Sequence, residues 1–125
     1  MIMPKYIEDD IVKYNDKIMV IKEPRDGSHF DLFCPQEGSV YCLVDVEEIK
    51  PIPITSEILE KNGWMLYRMY YWFISKECLK LRLLKFDNYS WNACIGGNVI
   101  RINMCSVSDL QHLLFGLGLN SEMEV

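Results

Sequence analysis

The stretch Glu48–Trp64, "EIKPIPITSEILEKNGW", decides how the chain is divided. Pro51 and Pro53 each fix φ and push the preceding residue out of the α region, so the chain is expected to be extended there. Thr55 then offers a side-chain oxygen that can cap the N-terminus of a helix. The stretch therefore predicts a short helix over about 56–62, preceded by an extended boundary near residue 50.

The segment before this boundary has the pattern of a small β-rich lobe. Short apolar runs between residues 11 and 46 are separated by turn residues, rich in Asn, Asp, Gly and Ser. Such spacing predicts four or five short antiparallel strands. We therefore expect residues 1–50 to form an SH3-like antiparallel lobe.

The segment after the boundary, residues 51–125, predicts the short helix, four more strands and a last helix. The expected strands are Trp64–Ile74, Leu79–Phe86, Tyr89–Ile95 and Val99–Met104, in an antiparallel meander. Alternation in the last strand predicts that Ile100, Ile102 and Met104 pack on one face. The last helix is expected to start at Ser106 or Ser108, to run to about Leu117 and to pack on the sheet. The predicted fold class is α+β.

Composition predicts a cytoplasmic protein. The five cysteines have no close spacing and fit reduced thiols, and the first residues lack the pattern of a secretory signal. The longest apolar run is far too short to cross a membrane. The net charge of −5 is uneven: residues 1–60 carry 6 basic and 13 acidic side chains, whereas residues 61–125 carry 7 and 5.

No residue set in the sequence has the pattern of a catalytic, cofactor or metal site. His29 lies near Asp26, Asp31 and Cys34, but a polar loop produces such a neighbourhood by chance. The cysteines and histidines lack the spacing of a zinc site, and Cys34 is better explained as a small apolar strand residue. The sequence thus favours a protein that is not an enzyme and has no cofactor.

A set of aromatic and basic residues in the second half is the strongest binding candidate. Alternation from Trp64 places Arg68, Tyr70 and Trp72 on one face of the first strand of the meander. If this is the wet face, it shares basic and aromatic side chains with the next strands. The members of this basic aromatic plate are Arg68, Tyr70, Trp72, Lys80, Arg82 and Arg101. Such a plate can stack unpaired bases, can form a protein-binding hot spot, or can be buried cross-strand pairs.

Two motifs, "VEEIKPIPITSEILEKNGW" at Val46–Trp64 and "VSDLQHLLFGLGLNSEMEV" at Val107–Val125, resemble a family of small proteins of Bacteroidetes and their phages. Family members read "PIPLTEEILLKNGF" and "VHQLQNLYFALTGEEL" at these places, and this chain departs from the second pattern. The matched residues are helix caps and core positions, so they indicate kinship and not a site. The resemblance implies an accessory protein of a prophage or mobile element.

Together these features predict a non-enzymatic inhibitor in the bacterial host cell, and specifically an anti-CRISPR. Its expected partner is a host protein, a CRISPR effector nuclease or its guide-RNA complex. Glu8, Asp9 and Asp10 are the expected acidic surface that imitates phosphates. The alternatives are a small module that binds single-stranded nucleic acid through the plate, and a phage structural or assembly protein. No membrane association is expected.

Overall fold

The computed structural model describes residues 6–67, 70–73 and 81–125, with only the backbone at 67 and 70–73. The fold is mixed α+β, with antiparallel sheets, few helices and a C-terminal helix, which confirms the predicted class. The chain divides into two compact units, Met1–Ile52 and Pro53–Val125. Each unit has its own sheet and its own apolar core, and each is described by itself.

Unit 1 contains a four-stranded antiparallel sheet in sequential order. Its strands are β1 (Ile11–Tyr14), β2 (Lys17–Asp26), β3 (His29–Cys34) and β4 (Ser39–Asp45), followed by a short 3-10 helix over Val46–Glu48. The segment after this helix returns to β1, where Lys13 and Lys50 form an antiparallel bridge. The chain therefore comes back to its first strand before it leaves the unit.

Alternation along the strands of unit 1 builds its core. Val12, Met19, Ile21 and Leu32 are fully buried, and Tyr6 packs edge-on against Phe30 with ring centroids 5.8 Å apart. Because side chains alternate across a strand, the residues between these positions point to the other face. Burial of such apolar surface is the main favourable term in the folding of the unit.

Unit 2 contains a five-stranded antiparallel sheet and two helices. Its elements are α1 (Ser56–Lys61), β5 (Trp64–Tyr67), β6 (Tyr70–Phe73), β7 (Leu81–Lys85), β8 (Trp91–Ile95), β9 (Asn98–Met104) and α2 (Val107–Gly116). The strands follow one another in the sheet, from β5 to β9. Leu81 and Leu83 of the sheet and Leu110 and Leu114 of α2 share one buried cluster.

The predicted helix starts are confirmed at atomic level. Thr55 Oγ1 accepts the N–H of Ile58 at 3.2 Å, which caps α1. Ser106, rather than Ser108, caps α2: its side chain accepts the N–H of Asp109, while the Asp109 carboxylate accepts the N–H of Ser106. This reciprocal pair satisfies two N–H groups that a helix start otherwise leaves without partners.

The prediction of one continuous strand from Trp64 to Ile74 is wrong. Trp64 pairs with Phe73 and Tyr67 pairs with Tyr70, so the chain reverses into a hairpin and the sheet has five strands instead of four. Aromatic residues favour strands on both sides of the reversal, and no Gly, Pro or Asn marks it in the sequence. The face assignment that assumed a continuous strand is lost with it.

The prediction that Ile100, Ile102 and Met104 of β9 pack on one face is also wrong. Met104 is buried as expected, but Ile102 is 58% exposed and Ile100 is also exposed. The register of β9 against β8 shifts twice, and Asn103 has a φ of +57°. Each such irregularity breaks the strict alternation of faces, so one regular face cannot carry all three side chains.

Candidate functional site

A bulge in β4 is the most unusual local feature of unit 1. Phe30 pairs with Val44 and Leu32 pairs with Tyr41, so β4 has one more residue than β3 between these pairs. The extra residue allows Leu43 to adopt a φ of +53°. The Leu43 side chain is 61% exposed at this position.

The conformation of Leu43 is out of keeping with its residue type. Besides Leu43, the described non-glycine residues with positive φ are Asp9, Asn15, Asp16 and Asn103. Asn and Asp tolerate the left-handed region because their short polar side chains can bond locally, whereas other side chains cost about 1–2 kcal/mol there. Leu43 therefore combines backbone strain with an apolar side chain held in water, and strain of this kind is concentrated at functional sites.

The carboxylate of Asp31 holds the bulge in place. Asp31 lies opposite the extra residue, is 5% exposed, and accepts the N–H of Leu43 at 3.0 Å through Oδ1. Its other oxygen accepts from Arg25, with Nε at 2.8 Å and Nη2 at 2.6 Å. The contact joins two charged groups, and charge-assisted hydrogen bonds are stronger than neutral ones. The Arg25 hydrogen bond, followed by the Leu43 N–H, holds the pKa of Asp31 below its usual value.

The lowered pKa values in unit 1 predict when acid weakens it. The N–H and hydroxyl of Ser28 and the ring of His29 also lower the pKa of Asp26, to about 2 from 3.8. A carboxyl group whose pKa is lower in the folded protein than in the unfolded chain stabilises the fold at pH values above its unfolded-state pKa. This stabilisation is lost as the pH falls through the folded-state pKa. We expect the melting temperature to be insensitive to these two groups above pH 4 and to fall between about pH 4 and 2, as measured by circular dichroism.

The control for this pH dependence is Asp31→Asn, which keeps an oxygen for Leu43 but cannot titrate. The variant is expected to show a shallower fall in melting temperature between about pH 4 and 2. An acid profile identical to that of the unchanged protein would contradict the role assigned to Asp31.

Further apolar surface lies next to Leu43 on the same strand. Val40 is 57% exposed, and the thiol-bearing Cys42 is also exposed. β4 is the last strand in the order of its sheet, and among the described residues no strand pairs with its outer side. We call the exposed residues Val40, Cys42 and Leu43 the β4 surface. An edge strand with exposed apolar side chains is suited to docking another chain.

The charge of the chain is concentrated in the unit that carries the β4 surface. Residues 1–52 contain 11 acidic and 6 basic side chains, a net charge of −5, whereas residues 53–125 contain seven of each. Unit 1 therefore holds the whole net charge. A field of this sign attracts cationic surfaces and repels nucleic acid backbones.

The structure separates the three residues of the predicted acidic surface. Glu8 and Asp9 are exposed, but Asp10 is 2% exposed. The Asp10 carboxylate accepts the N–H of Ile7 at 2.9 Å, and its carbonyl accepts the N–H of Ile21 at 2.9 Å. Asp10 therefore ties the first described residues to β2 and does not contribute to an exposed acidic set.

The basic aromatic plate is brought together only in part. Trp72 is the register partner of Arg82, and Tyr70 lies opposite Leu84 on the same pair of strands. Arg101 pairs with Ala93 and its guanidinium lies 3.9 Å from the Asp109 carboxylate on α2, away from that register row. Arg68 and Lys80 lie outside the described residues. The Arg82 guanidinium donates a hydrogen bond to the carbonyl oxygen of Gly96.

β9 offers a second exposed apolar edge. Val99 and Ile102 are 57% and 58% exposed, and β9 is the last strand of its sheet. Its left-handed residue is Asn103, whose N–H donates to Asn92 Oδ1 at 3.2 Å. An asparagine tolerates this conformation, so β9 lacks the conflict between residue type and backbone that marks Leu43.

Two of the candidate catalytic residues, His29 and Asp26, are in contact in a turn. His29 Nδ1 lies 3.1 Å from Asp26 Oδ1, in a turn where Asp26 also accepts the N–H groups of Ser28 and His29. These contacts account for both side chains as parts of a turn. Within the described ranges no group of three or more His, Cys, Asp or Glu side chains could hold a metal ion. No helix in those ranges is long and apolar enough to span a bilayer.

Comparison with known proteins leaves the site to be judged on its geometry, since no protein-family model, curated protein or solved structure matches the chain. Sequence reasoning missed Leu43 and named Asp31 only as a neighbour of His29. The available signal was weak: an acidic residue in the apolar run "HFDLFC" of β3 and two adjacent apolar residues in "VYCLVD" of β4. An Asp within a strand and a break in alternation together indicate a bulge.

Proposed function

We propose that the chain is a non-enzymatic inhibitor that docks, through the β4 surface of its acidic unit, on a cationic surface of a host nucleic-acid-targeting defence protein. The target we favour is an RNA-guided nuclease, which makes the chain an anti-CRISPR. The observation that carries the proposal is Leu43, an exposed apolar side chain held in a strained conformation by a buried carboxylate.

The energetics of Leu43 support a docking role. In the free protein the residue costs backbone strain and exposes apolar surface, and neither stabilises the fold. On a partner the side chain is removed from water, and a rigid support lowers the entropy lost on binding. A few such anchored residues supply most of the binding energy of an interface. The Asp31–Arg25 pair provides this support.

The charge of unit 1 supports the choice of partner. The net charge of −5 on residues 1–52 complements a surface that has evolved to bind phosphates. Proteins that bind nucleic acid present such surfaces, because phosphate contacts supply most of their affinity. The resemblance to phage-borne Bacteroidetes proteins supports a defence protein as the target, in the cytoplasm of the host.

We include an SH3-like lobe for unit 1 in this proposal, supported by the return of the chain to β1 at Lys50.

The experiment uses the tagged, full chain on a lysate of a CRISPR-bearing Bacteroidetes host, with half of the lysate treated with nuclease. The proposal expects the same guided nuclease in both halves, and inhibition of guided DNA cleavage when the purified partner is titrated with the chain. Captured nuclease that still cleaves at saturation would remove the inhibitor role. Nucleic acid retained only in the untreated half, without a dominant protein, would favour the single-strand-binding alternative.

Removing the exposed acids at the start of unit 1 is expected to slow association. The double variant Glu8→Lys with Asp9→Asn changes the charge by +3 and keeps a residue that tolerates φ +73° at position 9. We expect the association rate at low salt to fall on the order of threefold to tenfold, and the difference to shrink at high salt, because exposed charges are screened. Surface plasmon resonance against the captured nuclease measures both effects.

The matched control carries the same change of charge in unit 2. Glu60→Lys with Glu122→Gln replaces two exposed acids outside the acidic unit. We expect its association rate to stay close to that of the unchanged protein. If both double variants slow association equally, total charge and not unit 1 steers the encounter.

A further inference from the structure

Residues 120–125 lie along unit 2 as an extended segment, which we call the strap. The strap follows α2 after Gly118, whose φ is +73°. Among the described elements, no helix or strand includes it. Exposed and half-buried positions nevertheless alternate along it, with Ser121, Met123 and Val125 half-buried. This period of two is typical of an extended chain that lies on a surface.

Asn62 holds the strap through its backbone. The Asn62 amide donates to the carbonyl oxygen of Glu124 at 2.7 Å and accepts the N–H of Glu124 at 2.8 Å. The same side chain donates to the carbonyl oxygen of Ile58 at 2.7 Å, which fixes it to the end of α1. An amide that both donates to and accepts from one backbone residue takes the place of a neighbouring strand.

Two further side chains of unit 2 also contact backbone oxygens of the strap. Gln111, which is 4% exposed, donates to the carbonyl oxygen of Ser121 at 3.2 Å, and the Lys61 ammonium donates to that of Val125 at 3.2 Å. Met123 supplies an apolar contact, because it packs against the buried cluster of unit 2. Main-chain hydrogen bonds combined with a pocket for an alternate side chain are the usual way to bind an extended peptide.

The strap has the features of a segment that opens locally. Its contacts with Asn62, Gln111 and Lys61 come from side chains, and its alternate residues are exposed. Segments with few buried apolar contacts open at low free energy while the rest of the protein stays folded. Gly118 provides a joint, since glycine adopts a positive φ without strain. A cavity of about 530 Å³ along α1 beside Val125 leaves one end of the groove accessible.

We propose that the strap is exchangeable and that the groove it occupies binds the strap of a second copy of the chain. The contacts are the same in the closed monomer and in the exchanged dimer, as in other domain-swapped proteins. The monomer is favoured at low protein concentration, because a tethered strap has a high effective concentration. The inference does not rest on the proposed inhibitor function, since it uses none of the residues of the β4 surface.

Titration of a synthetic peptide of residues 120–125 into the full chain tests the groove. The side-chain amide signals of Gln111, followed by nuclear magnetic resonance, report binding. Met123→Asp removes an apolar contact of the strap and leaves the groove unchanged. This variant is expected to bind the peptide at least about tenfold more tightly than the unchanged protein, whose groove is occupied. Glu124→Pro, which removes the N–H that Asn62 accepts, opens the strap in a second way and is expected to have the same effect.

Asn120→Asp is the matched control for the charge that Met123→Asp introduces. It adds the same charge at an exposed position of the strap and keeps the oxygen that accepts the N–H of Glu122. Its peptide affinity is expected to stay close to that of the unchanged protein, and thermal melts establish that each variant is folded. Absence of binding to both Met123→Asp and Glu124→Pro, or equally tight binding to Asn120→Asp, would overturn the assignment of the groove.

Mixing two variants tests the exchange between copies. Met123→Asp has a groove without a competent strap, whereas Asn62→Ala has a strap without a competent groove. Each variant alone is therefore expected to be monomeric in analytical ultracentrifugation, and the mixture is expected to form a dimer at high concentration. A mixture that sediments as monomers, at a concentration at which the peptide saturates Met123→Asp, would overturn the exchange.

Discussion

Leu43→Gly is expected to weaken partner binding strongly while leaving the protein at least as stable as before. Glycine adopts a φ of +53° without strain, which recovers about 1–2 kcal/mol, and its greater entropy in the unfolded chain offsets about 0.5–1 kcal/mol of this. The loss of an anchoring side chain at an interface costs about 2 kcal/mol or more, so affinity is expected to fall at least about 30-fold. Paired melting curves and binding titrations measure the two effects.

The control that separates the loss of binding from the effect on stability is Val99→Gly on β9. Val99 is exposed to nearly the same degree as Leu43 but has no positive φ to be relieved. Glycine within a strand weakens it, so this variant is expected to lose stability and keep full binding. The opposite result, with binding lost in Val99→Gly and retained in Leu43→Gly, would move the interface from β4 to β9.

Leu110→Ala is expected to produce the largest loss of stability. Leu110 is fully buried in the cluster where α2 meets the sheet of unit 2. Removing a buried leucine loses its transfer free energy and leaves a cavity, at a combined cost of about 2–5 kcal/mol. Phe115→Ala on the same helix is the control: Phe115 is 68% exposed, so its removal is expected to change the free energy of unfolding by less than about 0.5 kcal/mol. Equal losses in both variants, measured by urea unfolding, would contradict the packing of α2.

The fold could be predicted wherever local chemistry decides the structure. Thr55 and Ser106 start helices because their side chains satisfy backbone N–H groups within three residues, and that relation is visible in the sequence. Leu81 and Leu83 are buried as their alternation indicates, because a regular strand keeps its faces.

The candidate site could not be predicted because it depends on pairing between strands. The strain at Leu43 exists only because β4 gains a residue against β3, and Asp31 supports it from twelve residues away in sequence. The reversal between Tyr67 and Tyr70 likewise follows from register and not from a turn residue. Sequence alternation carries no information about such insertions, and each of them moves side chains between faces.

Hydrogen–deuterium exchange of the chain, free and bound to the captured nuclease, tests the central claim most directly. The account predicts that amides of residues 39–45 gain strong protection on binding, that acidic segments of unit 1 gain less, and that residues 98–104 of β9 do not change. Protection confined to β9, with no change along β4, would contradict it.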